Sequence, residues 1–398
     1  MASNHSIVII GGSFAGLTVA SNLLRDIIPS LSKDKTYKVT VVNPSEEFFW
    51  KIGAPRTIIN PDSLPLTKTL LPIRPHFEKY GEQFELIVAK AESIDHATKS
   101  VRLSTGSSVN YNTLVISSGT GFNNHLWSTT PGTDALRSAL SEIHAKLPTA
   151  ETILIAGGGP AGVETAGELG DRFGAGKKDI TLLSGTDNLL NRLSNKNVGK
   201  DAQQRLEKFG IKVIHGVQVT GNKTEGGKEV LQLSDGSTRT VDIYIPAVGD
   251  KPNSGFVPRE WLTDKNQVKT DAATLRLDVP GVEGVYVYGT VASYSDGSIA
   301  DVMFAKKAVL ETLRSDLSGT GMFFPYIYPV HILIRTAPGP RTKNVYKKIT
   351  SDMQFVPIGA TQGVGIAFGW KLPSFVVKMA KSKDFMIGKA PQYIEGTA

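Results

Sequence analysis

Two glycine-rich strings, about 146 residues apart, contain the residues whose spacing most clearly predicts chemistry. Each string follows a short apolar, β-branched run and precedes a helical pattern; the strings occupy residues 11–16 and 157–162. In such a strand–turn–helix unit the first glycine makes the tight turn, the second lets a pyrophosphate approach the backbone, and the third lets the helix pack closely on the strand. The helix N-terminus directs N–H groups and a positive dipole at the phosphates. The sequence therefore predicts two dinucleotide sites.

The two strings differ at the positions that face a ligand. Their motif residues are Gly157, Gly159 and Gly162 in the second string, and Gly11, Ser13 and Gly16 in the first. A serine at the middle position slightly crowds the pyrophosphate. The acid expected after the second strand, for ribose hydroxyls, is Asn43 in the first unit and Ser184 in the second. Without that acid the sequence does not predict strict NADH preference, and Arg192 or Lys196 is a candidate for a 2′-phosphate, with plain surface residues as the alternative.

The surrounding elements are those that position such turns. The predicted first strands are residues 6–10 and 152–156, the second strands are 37–42 and 179–183, and the helices run to Leu24 and about Phe173. Each unit then contains an insertion of short strands, at 84–116 and 211–245, that ends in a return strand. A further strand at 284–288 and a helix at 300–317 precede a tail rich in aromatic residues and proline.

Composition excludes several classes of site. The chain of 398 residues has no cysteine, which excludes disulfides, thiolate metal sites, cysteine nucleophiles and a redox-active dithiol. The seven histidines show no metal-ligand spacing, so no metal site is expected. The net charge of +7 resides in the section after residue 316, which favours a local anionic partner or membrane surface, or a solvated basic face, over nucleic-acid binding.

No stretch is long and apolar enough for a transmembrane span, and no targeting signal is visible, so the expected location is cytoplasmic, with peripheral membrane contact left open. Residues 372–386 place Phe375, Val376 and Met379 on one side of a predicted helix, near Lys378, Lys381 and Lys383. Two interpretations remain: a weak membrane-surface helix, or a helix packed on the first nucleotide domain with its lysines outward. His331, in the aromatic tail, is a candidate for facing a quinone or an ordinary buried or surface histidine.

These motifs resemble a known family across nearly the whole chain. Residues 114–120 are similar to its "LVIATG" strand, residues 157–164 to its "GGGxxGxE" string and residues 249–253 to its "TGxxPN" segment. The family is that of the FAD/NAD(P)H oxidoreductases with the pyridine nucleotide–disulfide reductase fold. The likeness is greatest to the apoptosis-inducing-factor-like, ferroptosis-suppressor type of NAD(P)H:quinone oxidoreductase, which residues 48–56 and 381–385 also resemble.

The resemblance implies FAD in the first unit, NAD(P)H in the second, and hydride transfer between them. It makes Glu164 the expected catalytic residue beside nicotinamide and flavin; a plain first-turn acid is the alternative, and Glu168 is expected to be structural. The cofactor contacts expected are Gly11, Gly12, Ser13, Ala15, Gly16, Asn43, Lys51, Arg56, Val88, Ser118, Gly119, Gly289, Thr290, Gly157, Gly159, Gly162, Ser184 and Gly249.

One departure concerns the end of the FAD site. The family has Gly-Asp there, and this chain has Gly289-Thr290. Together with Asn43, this replaces two carboxylates, and losing their hydrogen bonds would weaken FAD binding by about 2–4 kcal/mol. Tight retention of FAD is therefore an open question at this point.

The sequence thus predicts an α/β protein with two Rossmann-like dinucleotide-binding domains (FAD and NAD(P)) and a small α+β C-terminal section. The predicted domains are 1–130 with 254–318 for FAD, 131–253 for NAD(P)H, and 319–398 for the interface and acceptor site. The predicted function is an FAD-dependent NAD(P)H oxidoreductase that reduces a small hydrophobic acceptor, a quinone in the first instance. The alternatives are a flavin-dependent tailoring enzyme of secondary metabolism and a non-redox binding or regulatory descendant.

Overall fold

A computed structural model describes residues 3–122, 124–249, 251–319, 346–348 and 351–398. His331 and the aromatic residues 323–328 lie outside the described residues.

Short β-strands are the most numerous elements in the described part of the chain. In chain order they are β1 (Ser3–Ile10), β2 (Lys35–Asn43), β3 (Glu47–Phe49), β4 (Leu70–Pro72), β5 (Phe84–Val88), β6 (Ala91–Asp95), β7 (Ser100–Leu103), β8 (Ser108–Asn110), β9 (Thr113–Ile116), β10 (Thr120–Gly121), β11 (Thr152–Ala156), β12 (Asp179–Ser184), β13 (Lys212–His215), β14 (Val219–Glu225), β15 (Lys228–Leu233), β16 (Thr238–Val241), β17 (Ile243–Pro246), β18 (Lys251–Pro252), β19 (Val285–Val287), β20 (Met353–Ile358), β21 (Gln362–Ala367) and β22 (Trp370–Lys371).

The helices cover the two larger sheets. The α-helices are α1 (Phe14–Asn22), α2 (Ala54–Ile59), α3 (Leu66–Thr69), α4 (Thr133–Lys146), α5 (Pro160–Phe173), α6 (Lys196–Lys208), α7 (Ile299–Leu317), α8 (Ser374–Val377) and α9 (Ala390–Ile394). Helix α1 continues into a π-helical turn at Leu23–Ile27, and α8 into another at Lys378–Ser382. In the described part of the chain, no helix is both long enough and apolar enough to cross a bilayer.

The first sheet is parallel and has the strand order β19-β9-β1-β2-β5. Its central strands are buried on both faces, which explains the continuous apolar runs at residues 7–10 and 114–116. Because all five strands run in the same direction, the carboxyl ends of β1, β2 and β9 lie at one edge of the sheet, at Ile10, Asn43 and Ile116. The first glycine turn lies at this edge. This is the edge at which open α/β sheets bind ligands.

The second sheet repeats the plan on a smaller scale, with the parallel order β13-β12-β11-β17. Helices α4, α5 and α6 supply apolar faces to its core. Antiparallel sheets β6-β7-β8 and β14-β15-β16 are the predicted insertions of the two units. The α/β fold with two dinucleotide-binding units is thereby confirmed.

The C-terminal section connects the two units. Its antiparallel sheet β20-β21-β22 shares the core of the second unit through Val356, Ile358, Val364 and Ile366. The expectation of a helix packed on the first domain is wrong, because α8 lies mainly on β20 and β21. Val377 is fully buried there, and a Cβ on Gly363 would lie 2.5 Å from its Cγ1, so a glycine is needed at that contact.

Candidate active site

In both glycine turns the first and third glycines lie against a backbone carbonyl oxygen. Gly11 has φ +110°, and a Cβ there would lie 2.4 Å from the carbonyl oxygen of Ser117 in the return strand. Gly157 has φ +132°, and its Cβ would lie 2.5 Å from the equivalent carbonyl of Ala247. A Cβ on Gly16 or Gly162 would lie 1.8 Å from the carbonyl oxygen of the first glycine of its own turn. These contacts require glycine in the folded chain itself.

The middle position is the one that faces outward. Nothing lies within 4 Å of the position where Gly159 would carry a Cβ. Neither α1 nor α5 begins with a side-chain cap, whereas Asn195 and Ser298 cap α6 and α7. Because the first-turn N–H groups of a helix have no intrahelical acceptors, these two uncapped ends suit the phosphates of a dinucleotide.

The residues after the second strands support the turns. The Gly12 N–H donates to Asn43 Oδ1 at 2.9 Å, and Asn43 Nδ2 donates to the Ser45 carbonyl at 2.7 Å. A carboxylate could accept the first bond but could not donate the second. In the other unit Ser184 Oγ donates to the Thr186 carbonyl at 3.0 Å and lies beneath Gly158. Both predicted ribose-side residues therefore reach their turns.

A cleft opens in front of the first turn and collects several of the predicted FAD contacts. Its lining includes Gly11, Gly12, Ser13, Asn43, Lys51 and Ser118. Val88 lies beside Asn43 in the register of β5 and β2. Ser118 Oγ donates to the Asn253 carbonyl at 2.7 Å, and the Asn253 N–H donates to Gly119 O at 2.9 Å, which joins the segments that lead into and out of the second unit.

The pair Gly289-Thr290, which replaces the Gly-Asp of the family pattern, lies at the far end of this site. Gly289 has φ +103°, and its Cβ would lie 2.9 Å from Cβ of Ala15, so the segment lies directly against α1. The Thr290 hydroxyl is 3.2 Å from that of Thr120. Gly249, with φ +88°, follows β17 at the ligand-facing edge of the second sheet.

Glu164 is buried and paired with a residue far along the chain. Lys381 Nζ lies 2.6 Å from Glu164 Oε1 and also donates to the Phe355 carbonyl at 3.2 Å. Burial raises the pKa of Glu164 to about 6, against the opposing effect of the Lys381 ammonium. A carboxyl group with this pKa can hold or release a proton near neutral pH.

Glu168, one turn later on α5, forms a second buried pair that sequence reasoning missed. Arg56 Nε and Nη2 donate to its two oxygens, each at 2.8 Å, and both side chains are only 2% exposed. Burial raises the pKa of Glu168, although the Arg56 guanidinium opposes that shift. Arg56 also donates to the carbonyls of Ser382 and Lys383, so four of its five N–H groups are used within the protein.

The predicted cofactor residues thus fall into two places. Most line the edges of the two sheets, around glycine turns whose open backbone and uncapped helix ends fit dinucleotide phosphates. Arg56 is instead enclosed between α5 and the C-terminal segment. A signal for this pair existed in the sequence: two glutamates four residues apart on a helix with an apolar face need cationic partners if both are buried.

A family model described as pyridine nucleotide-disulphide oxidoreductase matches residues 5–311. The oxidoreductase phnG of Penicillium herquei is 32% identical, over 97% of this chain and 94% of the relative. Ferroptosis suppressor protein 1 of Xenopus laevis is 25% identical, over 96% of this chain and 94% of the relative. The type II NADH:quinone oxidoreductase Ndh of Mycobacterium tuberculosis is 23% identical, over 79% of this chain and 73% of the relative.

Proposed function

Because the chain belongs to the pyridine nucleotide-disulphide oxidoreductase family, we propose that it passes reducing equivalents from NAD(P)H through FAD to a quinone. Family membership confirms the predicted use of FAD and NAD(P)H by an oxidoreductase. When bound, FAD accepts hydride from the nicotinamide and passes the electrons on. The observation that carries the proposal is the presence of two glycine turns in a chain without cysteine, so that electrons must leave the flavin directly. The similarity to the mycobacterial NADH:quinone oxidoreductase supports a quinone as acceptor.

The residues take the following roles in this proposal. FAD lies on the first turn, within a domain formed by residues 1–130 and 254–318, and NAD(P)H lies on the second turn within residues 131–253. Asn43 keeps the first turn in shape through Gly12, and its amide would be the group that binds the ribose of FAD. Glu164 lies two residues after Gly162 and orients the nicotinamide carboxamide, with its proton state set by burial and Lys381.

The test is an anaerobic titration of the purified, FAD-loaded protein with NADH and with NADPH, followed by addition of a short-chain quinone. We expect the visible flavin bands to bleach with one donor and to return with the quinone. Glu164→Gln should slow bleaching at least tenfold, whereas Glu142→Gln, on the exposed face of α4, should not. A flavin that bleaches but is not reoxidised by any quinone would overturn the acceptor and leave the first half-reaction intact.

That outcome would favour the second candidate, a tailoring oxidoreductase that reduces an aromatic metabolite. The altered FAD contacts at Ser13, Asn43 and Thr290 distinguish this chain from the family pattern. In addition, identity is higher to phnG, named only as an oxidoreductase, than to the NADH:quinone oxidoreductase. Screening of aromatic carbonyl compounds as electron acceptors for the reduced flavin separates the two candidates.

We also propose a weak, peripheral contact of the C-terminal section with an anionic lipid surface. Four large apolar side chains project there: Phe368 and Phe375 (each 63% exposed), Met379 (78%) and Trp370 (79%). Residues 361–383 contain four lysines and no acid; Lys371 is paired with Asp201 and Lys381 with Glu164, and the exposed Lys378 and Lys383 add attraction to anionic lipid to the apolar insertion. Sedimentation with phosphatidylserine vesicles should fall at least fivefold for Trp370→Ser with Phe375→Ser, and it should fall with salt. Equal sedimentation of wild type and variant would contradict the contact.

A further inference from the structure

Three separate parts of the chain meet at Arg56. The residue lies on α2 of the first unit, its carboxylate partner Glu168 lies on α5 of the second, and its other acceptors are carbonyls of Ser382 and Lys383. The Arg56 guanidinium carbon also lies 4.7 Å from the ring centre of Phe385. A planar guanidinium with five N–H groups can satisfy a carboxylate and two carbonyls at once, which the single ammonium of a lysine cannot do in the same geometry.

The two carbonyl acceptors of Arg56, on Ser382 and Lys383, directly follow Lys381, the partner of Glu164. Glu164 and Glu168 are one turn apart on α5, and residues 381–383 are consecutive. The two glutamates therefore contact adjacent points of the C-terminal segment, one directly through the Lys381 ammonium and the other through Arg56. Trp50 adds a third attachment, because its Nε1–H donates to the Phe385 carbonyl at 2.8 Å.

We propose that Arg56 is a positioning residue that fixes the C-terminal segment on α5 so that the Lys381 ammonium meets Glu164. Lys381 itself lies at the end of a short helical segment, and its own bonds are to Glu164 and to the Phe355 carbonyl. Without Arg56 the carbonyls of Ser382 and Lys383 lose charged donors, and the backbone next to Lys381 is free to shift. Arg56 thereby controls where the proton of Glu164 resides. The consequence for catalysis rests on the proposed role of Glu164.

The charged groups that face Glu164 are few and come from three elements. Lys381 approaches from the π-helical segment, Arg56 from α2, and Glu168 from the next turn of α5. Removing Arg56 and Glu168 together deletes one charge of each sign, so their direct effects on Glu164 largely cancel. A change in the titration of Glu164 in such a variant then reports the position of Lys381.

The experiment uses Arg56→Met with Glu168→Met, Lys381→Met, and the combination of all three. Hydrogen exchange should accelerate at least tenfold at residues 381–385 in the Arg56/Glu168 variant and remain unchanged in α7. The titration of Glu164, followed by carboxyl NMR of the labelled protein and assigned with Glu164→Gln, should move above about 6 in this variant and in Lys381→Met. The triple variant should move no further, because both changes remove one interaction.

A matched control is Arg276→Met with Asp316→Asn, which removes a bidentate pair (2.7 and 2.9 Å) of the first unit. It should lower the melting temperature without changing either readout. If the Arg56/Glu168 variant melts lower but keeps the wild-type exchange and Glu164 titration, Arg56 only stabilises the fold and the proposal fails. If that variant does not fold, Arg56→Gln with Glu168→Gln, which again deletes one charge of each sign but keeps polar groups at both positions, is measured instead, with a smaller upward shift expected.

Neither readout requires turnover, so this proposal and the proposed function can fail separately. If the protein oxidises no NAD(P)H but shows the coupled exchange and titration changes, the positioning role stands and Glu164 serves another chemistry. If the enzyme is active, the pH profile of flavin reduction should shift upward in the Arg56/Glu168 variant as it does in Lys381→Met. The single substitution Arg56→Lys should not give the wild-type pH profile, because a lysine ammonium cannot satisfy the carboxylate and both carbonyls in the same geometry.

Discussion

The helices of the two nucleotide units contact the same C-terminal segment with different chemistry. Aligning the glycine strings places Thr18 and Asn22 of α1 at the positions of Glu164 and Glu168 of α5. All four are buried. Asn22 donates to the carbonyls of Thr18 and Gly396, whereas the glutamates bind Lys381 and Arg56. At these equivalent positions α1 is therefore attached to the C-terminal residues through neutral hydrogen bonds, and α5 through buried charges.

This difference shows which features the fold requires and which it leaves open. The first and third glycines are equally constrained in both turns, because they meet backbone carbonyls. The middle turn residues, Ser13 and Gly159, and the first of the equivalent helix pairs, Thr18 and Glu164, differ between the two units. Buried charges need partners throughout, while neutral amides do not carry a large desolvation penalty, so the second unit should be the more sensitive to pH and to single substitutions.

The largest effect should come from substituting the third glycine of either turn, which is equally constrained in both units. Gly16→Ala and Gly162→Ala each place a Cβ 1.8 Å from a carbonyl oxygen. The backbone must shift to relieve this clash, so we expect a loss of more than about 4 kcal/mol in unfolding free energy and no folded protein. Thermal melting and yield measure this. Gly159→Ala, with open space around it, should keep its melting temperature and weaken NAD(P)H binding; equal damage from all three substitutions would refute the comparison.

The next effect should separate the two helices. Glu168→Ala leaves the Arg56 charge buried without its carboxylate, and we expect a loss of about 3–5 kcal/mol in unfolding free energy. Asn22→Ala removes neutral hydrogen bonds at the equivalent position and should cost about 1–2 kcal/mol. Denaturant unfolding of both variants measures the difference. Equal losses in unfolding free energy would mean that the buried charge of Glu168 contributes no more than the neutral hydrogen bonds of Asn22.

One component of the pH dependence of stability should come from Glu164 in the second unit. The pKa of Glu164 rises from 4.5 to about 6 on folding, so between these values the native state retains a proton that the unfolded chain has released. Stability should therefore fall as pH rises through this window, by about 2 kcal/mol in total for this group. The difference between wild type and Glu164→Gln isolates it. Thr18→Val, at the equivalent position of α1, should leave the pH dependence unchanged.

A smaller effect should distinguish Asn43 from Ser184, the residues that end the second strand of each unit. Asn43→Ala removes the acceptor of the Gly12 N–H, and we expect a loss of about 1 kcal/mol in unfolding free energy together with weaker FAD retention. Ser184→Ala should change stability by less, because the Ser184 hydroxyl bonds to Thr186, two residues away in the same loop. FAD release on gel filtration and denaturant unfolding check both. Full FAD retention by Asn43→Ala would show that this amide is dispensable.

Local patterns predicted much of the fold. The strands and helices around both glycine strings, the insertions and the helix at residues 300–317 follow from apolar periodicity and turn residues, which act over a few positions. The partners of the buried glutamates could not be predicted in the same way, because Arg56 is 112 residues from Glu168 and Lys381 is 217 residues from Glu164. Apolar packing on β20 and β21, through Val377, decided where the tail helix lies.

The attachment of residues 381–396 to both nucleotide helices also sets an order of events during synthesis. These residues follow both units in the chain, so the units can form their sheets during synthesis while α1 and α5 still lack the partners that residues 381–396 supply. At about 5–20 residues per second, the section after residue 319 takes roughly 4–16 seconds to make. Throughout that interval Glu164 lacks its partner Lys381, and α1 lacks the cover of Tyr393, whose ring centre lies 5.1 Å from that of Phe14. The nascent chain therefore has a period in which both nucleotide helices lack the contacts that residues 381–396 later supply.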